Sequence, residues 1–149
     1  MGYYMRFIVD DEKDVGLDRI AAALKEADAA YQLAAWDRER ERAELCCGED
    51  LYGEIEVNRK GTELMDEEIE ELCADVEDVG GPGAERVIAT LRRCKAMVVI
   101  RVLWQGREAV ATLEKIDPLW EWLFANFAGL LQSDGEGYYD TSGVVLEYE

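Results

Sequence analysis

Nine consecutive positions, 96–104, are hydrophobic with the single exception of Arg101. The run is rich in β-branched side chains, which favours a β-strand over a short buried helix. A strand that is hydrophobic on both faces is typical of the centre of a sheet, where other elements cover it from above and below. The rest of the chain is therefore expected to pack around this strand.

Shorter hydrophobic or alternating runs predict six further strands, at positions 3–9, 31–36, 44–47, 52–58, 138–140 and 144–148. In the fourth of these, Ile55 and Val57 alternate with polar neighbours. This alternation predicts that the third and fourth strands form a hairpin with one face exposed to solvent. The turn at 141–143 predicts a second hairpin near the end of the chain.

Hydrophobic residues at helical spacing predict four helices between these strands. The first begins after an N-cap at Asp14, the second carries a hydrophobic stripe from Met65 to Val76, and the third covers 84–94. The fourth covers 109–127, and the pair Asp117–Pro118 within it indicates either a fresh helix start or a kink. Its inward stripe is expected to contain Trp120, Leu123, Phe124 and Phe127.

The resulting order of elements is β-α-β-β-β-α-α-β-α-β-β, in one domain that spans residues 1–149. This order predicts an α+β fold with a single mixed or antiparallel sheet and with helices mainly on one face. Part of the order resembles a ferredoxin-like sandwich. Because that order occurs in many unrelated proteins, the resemblance implies no function.

The composition is typical of a soluble globular protein, with 49% hydrophobic and 34% charged residues. No hydrophobic run reaches the ~18 residues of a membrane helix, and the first residues lack the features of a secretory signal. A cytoplasmic location is therefore expected. The four cysteines do not have metal-binding spacing and the chain contains no histidine, so no cofactor is expected.

The formal net charge of the chain is −18. Proteins hold phosphate groups through Lys and Arg, so this charge argues against nucleic acid and against an anionic membrane as partners. It favours a protein partner with a basic surface, or else a general adaptation to a salty cytosol. An acidic surface would accelerate the encounter with a basic partner, and salt would slow that encounter.

Two groups of acidic residues are weak candidates for a metal site. The string 7–12 resembles the opening of a response-regulator receiver domain, a family in which paired acids such as Asp10 and Asp11 hold a magnesium ion. That family also needs a phospho-accepting aspartate, a Ser or Thr, and a Lys at the ends of later strands. This chain lacks that set at its predicted strand ends.

The second group, Asp134, Glu136 and Asp140, superficially resembles a calcium loop. With Asp134 as the first position, Val145 stands where an EF-hand requires its bidentate Glu. This second group is a candidate for a weak surface ion site. The alternative function, a metal-dependent small-molecule enzyme, would use an acidic cluster around Asp10 and Asp11.

The leading hypothesis is a non-enzymatic protein-interaction or regulatory module, of the inhibitor, immunity or adaptor type, because the chain has no histidine to activate a nucleophile. Trp122, with Leu119 on its flank, is predicted to contact a protein partner or a second copy of the chain, since it lies about 200° around the helix from Trp120. The alternatives are cover by a terminal segment of the same chain, or simple exposure to solvent.

Arg101 is the one charge inside the central strand. It is predicted to be buried and paired with a carboxylate, because an unpaired buried charge is strongly destabilising. A clamp for a substrate anion is the functional alternative for this residue.

Overall fold

The computed structural model describes residues 2–148, and within that range it contains one sheet of eight strands and four helices. The strands are β1 (Tyr3–Val9), β2 (Tyr31–Asp37), β3 (Arg42–Cys47), β4 (Asp50–Arg59), β5 (Ala96–Val102), β6 (Gly129–Ser133), β7 (Gly137–Asp140) and β8 (Gly143–Glu147). The helices are α1 (Leu17–Ala27), α2 (Glu63–Val79), α3 (Pro82–Arg93) and α4 (Ala109–Asn126).

β5 lies in the middle of the sheet, as its hydrophobic run predicted. The strand order is β2-β3-β4-β5-β1-β6-β7-β8, and all neighbouring pairs are antiparallel. Every residue of β5 except Arg101 is buried. The strand ends at Val102, two residues before the predicted end, and the chain then turns through Gln105 and Gly106, both at positive φ. The α+β class predicted from the sequence is confirmed, with an antiparallel sheet.

Helices cover both faces of the sheet, whereas the sequence predicted helices mainly on one face. Val98 and Ile100 of β5 belong to the core that contains α1 and α4. Met97 and Val99 belong to the core that contains α2 and α3. Successive residues of a strand point to opposite faces, so a strand that is hydrophobic throughout needs cover on both sides. The helical patterns themselves carry no information about the face that each helix covers.

The predicted elements do not include β6, which pairs with β1 where the sequence predicted a helix end and an acidic loop. Gly129 permits this close pairing, because a Cβ atom there would lie 2.2 Å from the main-chain oxygen of Ile8. Leu130 packs into the core of the α2–α3 face, and Leu131 is partly buried against the other core. β6 therefore links β1 to the terminal hairpin of β7 and β8.

The structure corrects the predicted start of α1 and shows that α4 is one continuous helix. The N-cap of α1 is Gly16 rather than Asp14, whose carboxylate instead accepts a hydrogen bond from Arg59 at 2.7 Å. α4 continues through Pro118 without a fresh start. The proline removes only one main-chain hydrogen bond, and buried residues hold the helix in place both before and after position 118. None of the helices within residues 2–148 is long and hydrophobic enough to cross a membrane.

Candidate binding surface along helix α2

Helix α2 carries half of the net charge of the chain. Nine of its 17 residues are acidic and none is basic. The hydrophobic side of the helix is buried through Met65, Ile69, Leu72, Cys73 and Val76. The exposed acidic residues are Glu63, Asp66, Glu67, Glu70, Glu71, Asp75, Glu77 and Asp78. The solvent side of α2 is therefore almost entirely negative.

The acidic residues of α2 repel one another within the helix. Glu67, Glu71 and Asp75 follow at intervals of four residues, where like charges are destabilising. Glu77 and Asp78 lie in the last turn, at the negative end of the helix dipole. A cation bound along this side would relieve both kinds of repulsion.

Only two acidic residues of α2 take part in ion pairs among the described residues. Glu68 pairs with Arg6 of β1, and Glu70 pairs with Arg92 of α3. The other seven acidic side chains have no ionic partner within residues 2–148. Most of the charge of α2 is thus available to a molecule outside the chain.

α2 and α3 cover only part of their face of the sheet, and an area beside α2 has no helix over it. The strand register aligns four residues across β3, β4, β5 and β1: Glu44, Glu54, Arg101 and Tyr4. All four are partly exposed, whereas Leu45 and Ile55 on the opposite face of the same strands are fully buried. These four residues form what we call the polar floor, next to the acidic side of α2.

Two clefts lie on this face of the sheet, one beside α2 and one over the polar floor. One cleft of about 410 Å³ is lined by Glu71, Asp75 and Asp78 from the helix and by Arg6 and Asp134 from the sheet side. The other, of about 260 Å³, lies over the floor and is lined by residues that include Tyr4, Arg42, Glu54, Glu56 and Arg101. Arg6, which lines the first cleft, lies opposite Val99 in the strand register, and Val99 lines the second, so the two clefts are neighbours.

Arg6 connects α2 to the sheet. Its guanidinium donates to Glu68 at 3.2 Å, to Gln132 at 2.8 Å and to Asp134 at 2.8 Å. The side chains of Arg6 and Glu68 are only 13% and 19% exposed. Burial raises the pKa of Glu68, and the nearby charge of Arg6 opposes that rise. These contacts occupy Arg6, so Glu71 has no ion-pair partner within residues 2–148.

Arg101 is paired with a carboxylate, as predicted, but it is not buried. Its guanidinium donates to Glu54 on the neighbouring strand, with Nε at 3.0 Å from Oε1. The side chain is 42% exposed because α2 and α3 do not extend over this end of β5. A pair so exposed adds little to stability. Arg101 is therefore a surface residue of the polar floor and not a structural buried charge.

Trp122 is half-buried and packs against the core, where the sequence predicted that it points away. Its ring meets Phe127 edge-on at 5.7 Å, and the guanidinium of Arg19 from α1 lies 5.9 Å from it. Leu119 is fully buried, so its prediction as a surface contact is wrong. The buried stripe of α4 consists of Thr112, Ile116, Leu119, Trp120 and Leu123. A partner contact at Trp122 stays a prediction.

The first group of candidate metal ligands is engaged in other contacts. Asp10 accepts a hydrogen bond from Arg93 at 2.8 Å. Asp11 accepts hydrogen bonds from the main-chain N–H groups of Lys13 and Ala128, both at 3.0 Å, and these bonds lower the pKa of Asp11. The two carboxylates therefore stabilise the connections that follow β1 and α4.

The second group is engaged as well. Asp134 belongs to the Arg6 network, and Glu136 accepts a hydrogen bond from a tyrosine hydroxyl. Arg86 pairs with Asp140 at 2.8 Å and lowers the pKa of that carboxyl. Across residues 2–148, no three histidine, cysteine or acidic side chains are grouped so that they could hold a metal ion.

Sequence reasoning did not single out Arg6, Glu68 or the total charge of α2. The composition of α2 is visible in the sequence, so that signal could have been used. Arg6 has a weaker signal, a single charge inside a hydrophobic strand, which resembles the position of Arg101 in β5. Comparison of the chain with protein-family models, with curated proteins and with solved structures gives no match.

Proposed function

We propose that this protein is a non-enzymatic interaction module that binds a basic segment of another protein along the acidic side of α2. The observation that carries the proposal is the concentration of charge, with nine acidic residues and no basic residue in 17 positions. Such binding would suit an inhibitor, an immunity protein or an adaptor. The four unpaired cysteines support the cytoplasm as its location.

The cleft beside α2 supports this proposal in two ways. Its acidic side chains Glu71, Asp75 and Asp78 share one concave surface, and charge on such a surface raises the local concentration of an oppositely charged partner. The adjoining polar floor supplies both hydrogen-bond donors and acceptors beside the charge. A basic segment laid along the flank of α2 would offset the repulsion between these acids.

The test uses a short synthetic peptide in which lysine and alanine alternate, with stopped-flow measurement of its association at several salt concentrations. The test variant neutralises the cleft with Glu71→Gln, Asp75→Asn and Asp78→Asn. The matched control neutralises three exposed acids on the other side of the sheet, Glu26→Gln, Glu114→Gln and Glu121→Gln. Both variants have the same net charge, so they separate a local effect from a general one.

We expect the association rate to fall with salt for the wild type, because ions screen the attraction. The α2 variant is expected to lose at least about threefold more affinity than the control. Equal losses in the two variants would mean that net charge alone attracts the peptide, and a salt-independent association rate would remove the electrostatic basis of the proposal.

A further inference from the structure

A third cleft, of about 470 Å³, lies at the N-terminal end of α2. It is lined by residues from the β2–β3 connection, from β4 and from the first turn of the helix, including Arg42, Glu56, Asn58, Thr62 and Leu64. We call it the Asn58 cleft. Because Arg42 and Glu56 also line the cleft over the polar floor, the two are neighbours on one surface.

Asn58 is the unusual residue of this cleft. Asn58 follows Glu54 and Glu56 along β4 at intervals of two residues, so its side chain points to the same face of the sheet as theirs. Asn58 is only 8% exposed, and its Nδ2 atom has no hydrogen-bond partner among the described residues. At Asn58 the main chain of β4 is paired with Met97 of β5, and the pairing of β4 with β3 ends two residues earlier, at Glu56. The fold thus retains an unsatisfied amide next to an open cleft.

Leu64 supplies a hydrophobic contact at the same place. It lies in the first turn of α2, is 57% exposed and does not belong to either core. The N-cap of the helix is satisfied without it, since Thr62 accepts a hydrogen bond from the main-chain N–H of Met65. Leu64 is therefore free to contact a hydrophobic side chain of a partner at the cleft.

Resting on the proposed function, we infer that the Asn58 cleft is the specificity pocket for the basic partner. It binds one hydrophobic side chain of that segment against Leu64, and the amide of Asn58 donates to a main-chain carbonyl of the same segment. The charge on α2 would attract many basic segments, whereas this pocket selects those with a hydrophobic residue at one position.

A carbonyl fits this donor better than a free carboxylate. The three arginines that line the cleft are already paired: Arg40 with Asp37 at 3.8 Å, Arg42 with Glu56 at 3.0 Å and Arg59 with Glu41 at 2.7 Å. Acidic residues of the first turn of α2, such as Glu63, lie close by and repel anions. A neutral acceptor of the main chain meets no such repulsion.

The experiment uses the lysine–alanine peptide with its central residue as alanine, leucine or phenylalanine. Its affinity is measured for the wild type and for Asn58→Leu and Leu64→Ser. Matched controls are Trp120→Phe, which removes another buried unpaired donor far from the cleft, and Val110→Ser, which changes another exposed hydrophobic residue. Melting temperatures of all variants are recorded in parallel.

For the wild type we expect the leucine and phenylalanine peptides to bind about tenfold more tightly than the alanine peptide. Burial of a hydrophobic side chain of that size raises the affinity by roughly this factor. Asn58→Leu should raise the melting temperature and abolish this preference, and Leu64→Ser should abolish it with the fold unchanged. The controls should keep the preference.

The failures are distinguishable. Salt-dependent binding of all three peptides with equal affinity would overturn the specificity pocket and leave the acidic surface in place. A preference that survives in both Asn58→Leu and Leu64→Ser would overturn it as well. Absence of binding at any salt concentration would refute the proposed function itself, and the pocket with it.

Discussion

Replacement of Arg6 by methionine tests the contact that holds α2 to the sheet. The change removes three donated hydrogen bonds, to Glu68, Gln132 and Asp134, and two ion pairs. Methionine keeps most of the hydrophobic stem, so the loss is mainly polar. The carboxylate of Glu68, which is largely covered by the protein, is then left without a cation.

The expected loss follows from the exposure of the partners. Breaking a fully buried ion pair costs about 3–5 kcal/mol, and an exposed pair is worth less than about 1 kcal/mol. Arg6 and Glu68 are close to the buried limit, whereas Asp134 is 35% exposed. We therefore expect a loss of about 2–3 kcal/mol in the free energy of unfolding, or roughly 4–12 °C in the melting temperature.

Chemical denaturation and calorimetry measure this loss, with Arg101→Met as the matched control. Arg101 also pairs across strands, but its pair is much more exposed, so Arg101→Met should cost clearly less stability than Arg6→Met. The double variant Arg6→Met with Glu68→Gln should recover part of the stability, because no buried charge is left behind. Equal losses for Arg6→Met and Arg101→Met would refute the assignment of Arg6 to a buried network.

The pH dependence gives a second check on the same network. The folded pKa of Glu68 is raised above its ordinary value of 4.5, so its ionised form destabilises the fold at neutral pH. Without Arg6 that pKa should rise further, because the attraction that opposes burial is gone. The deficit of Arg6→Met should therefore be largest at neutral pH and shrink as the pH falls through the raised pKa. A deficit that is constant with pH would contradict this account.

Three further predictions concern packing and reactivity. Gly129→Ala should cost about 2–3 kcal/mol by calorimetry because its Cβ would collide with β1, whereas Gly16→Ala, with open space around it, should change stability by less than about 1 kcal/mol. Trp122→Ala should lower stability by about 1–2 kcal/mol with an unchanged mass in sedimentation, and a shift from dimer to monomer would instead support the predicted partner contact. A thiol reagent should label only Cys46 in the native protein, because the other three cysteines are buried. This labelling should be slow, since burial raises the pKa of the Cys46 thiol, as it raises the pKa of Cys94 to about 11. Labelling of several thiols without denaturant would contradict this.

The sequence predicted well those strands whose own residues form a clear hydrophobic or alternating pattern, without reference to a distant partner strand. β5 is hydrophobic at almost every position, so its burial on both faces follows from composition alone. β6 was missed because its five residues follow directly on a helical pattern, and its partner β1 lies more than a hundred positions earlier in the chain. A pairing over that distance leaves no periodic signal in the short strand.

The error at Leu119 has a similar cause. The predicted inward stripe of α4 was Trp120, Leu123, Phe124 and Phe127, and helical spacing does not show how far around the helix the rest of the chain covers it. The buried side runs from Ile116 through Leu119 to Leu123, at the same helical spacing. The Arg6 network was beyond prediction for a different reason, since Arg6 and Asp134 meet only when β1 and β6 pair.

The distribution of charge bears on two explanations for the acidity of this chain, a surface for a basic partner and a general adaptation to salt. The rest of the chain contains 25 of the 34 acidic residues and all 16 basic ones. Many of these basic residues form ion pairs along the strands and connections. Inside α2, no basic residue offsets the acids. General adaptation to salt would place the excess on every exposed surface, because screening acts everywhere alike. Half of the excess lies on one helix of 17 residues, beside a concave part of the sheet, and this uneven distribution favours the proposed surface for a basic partner.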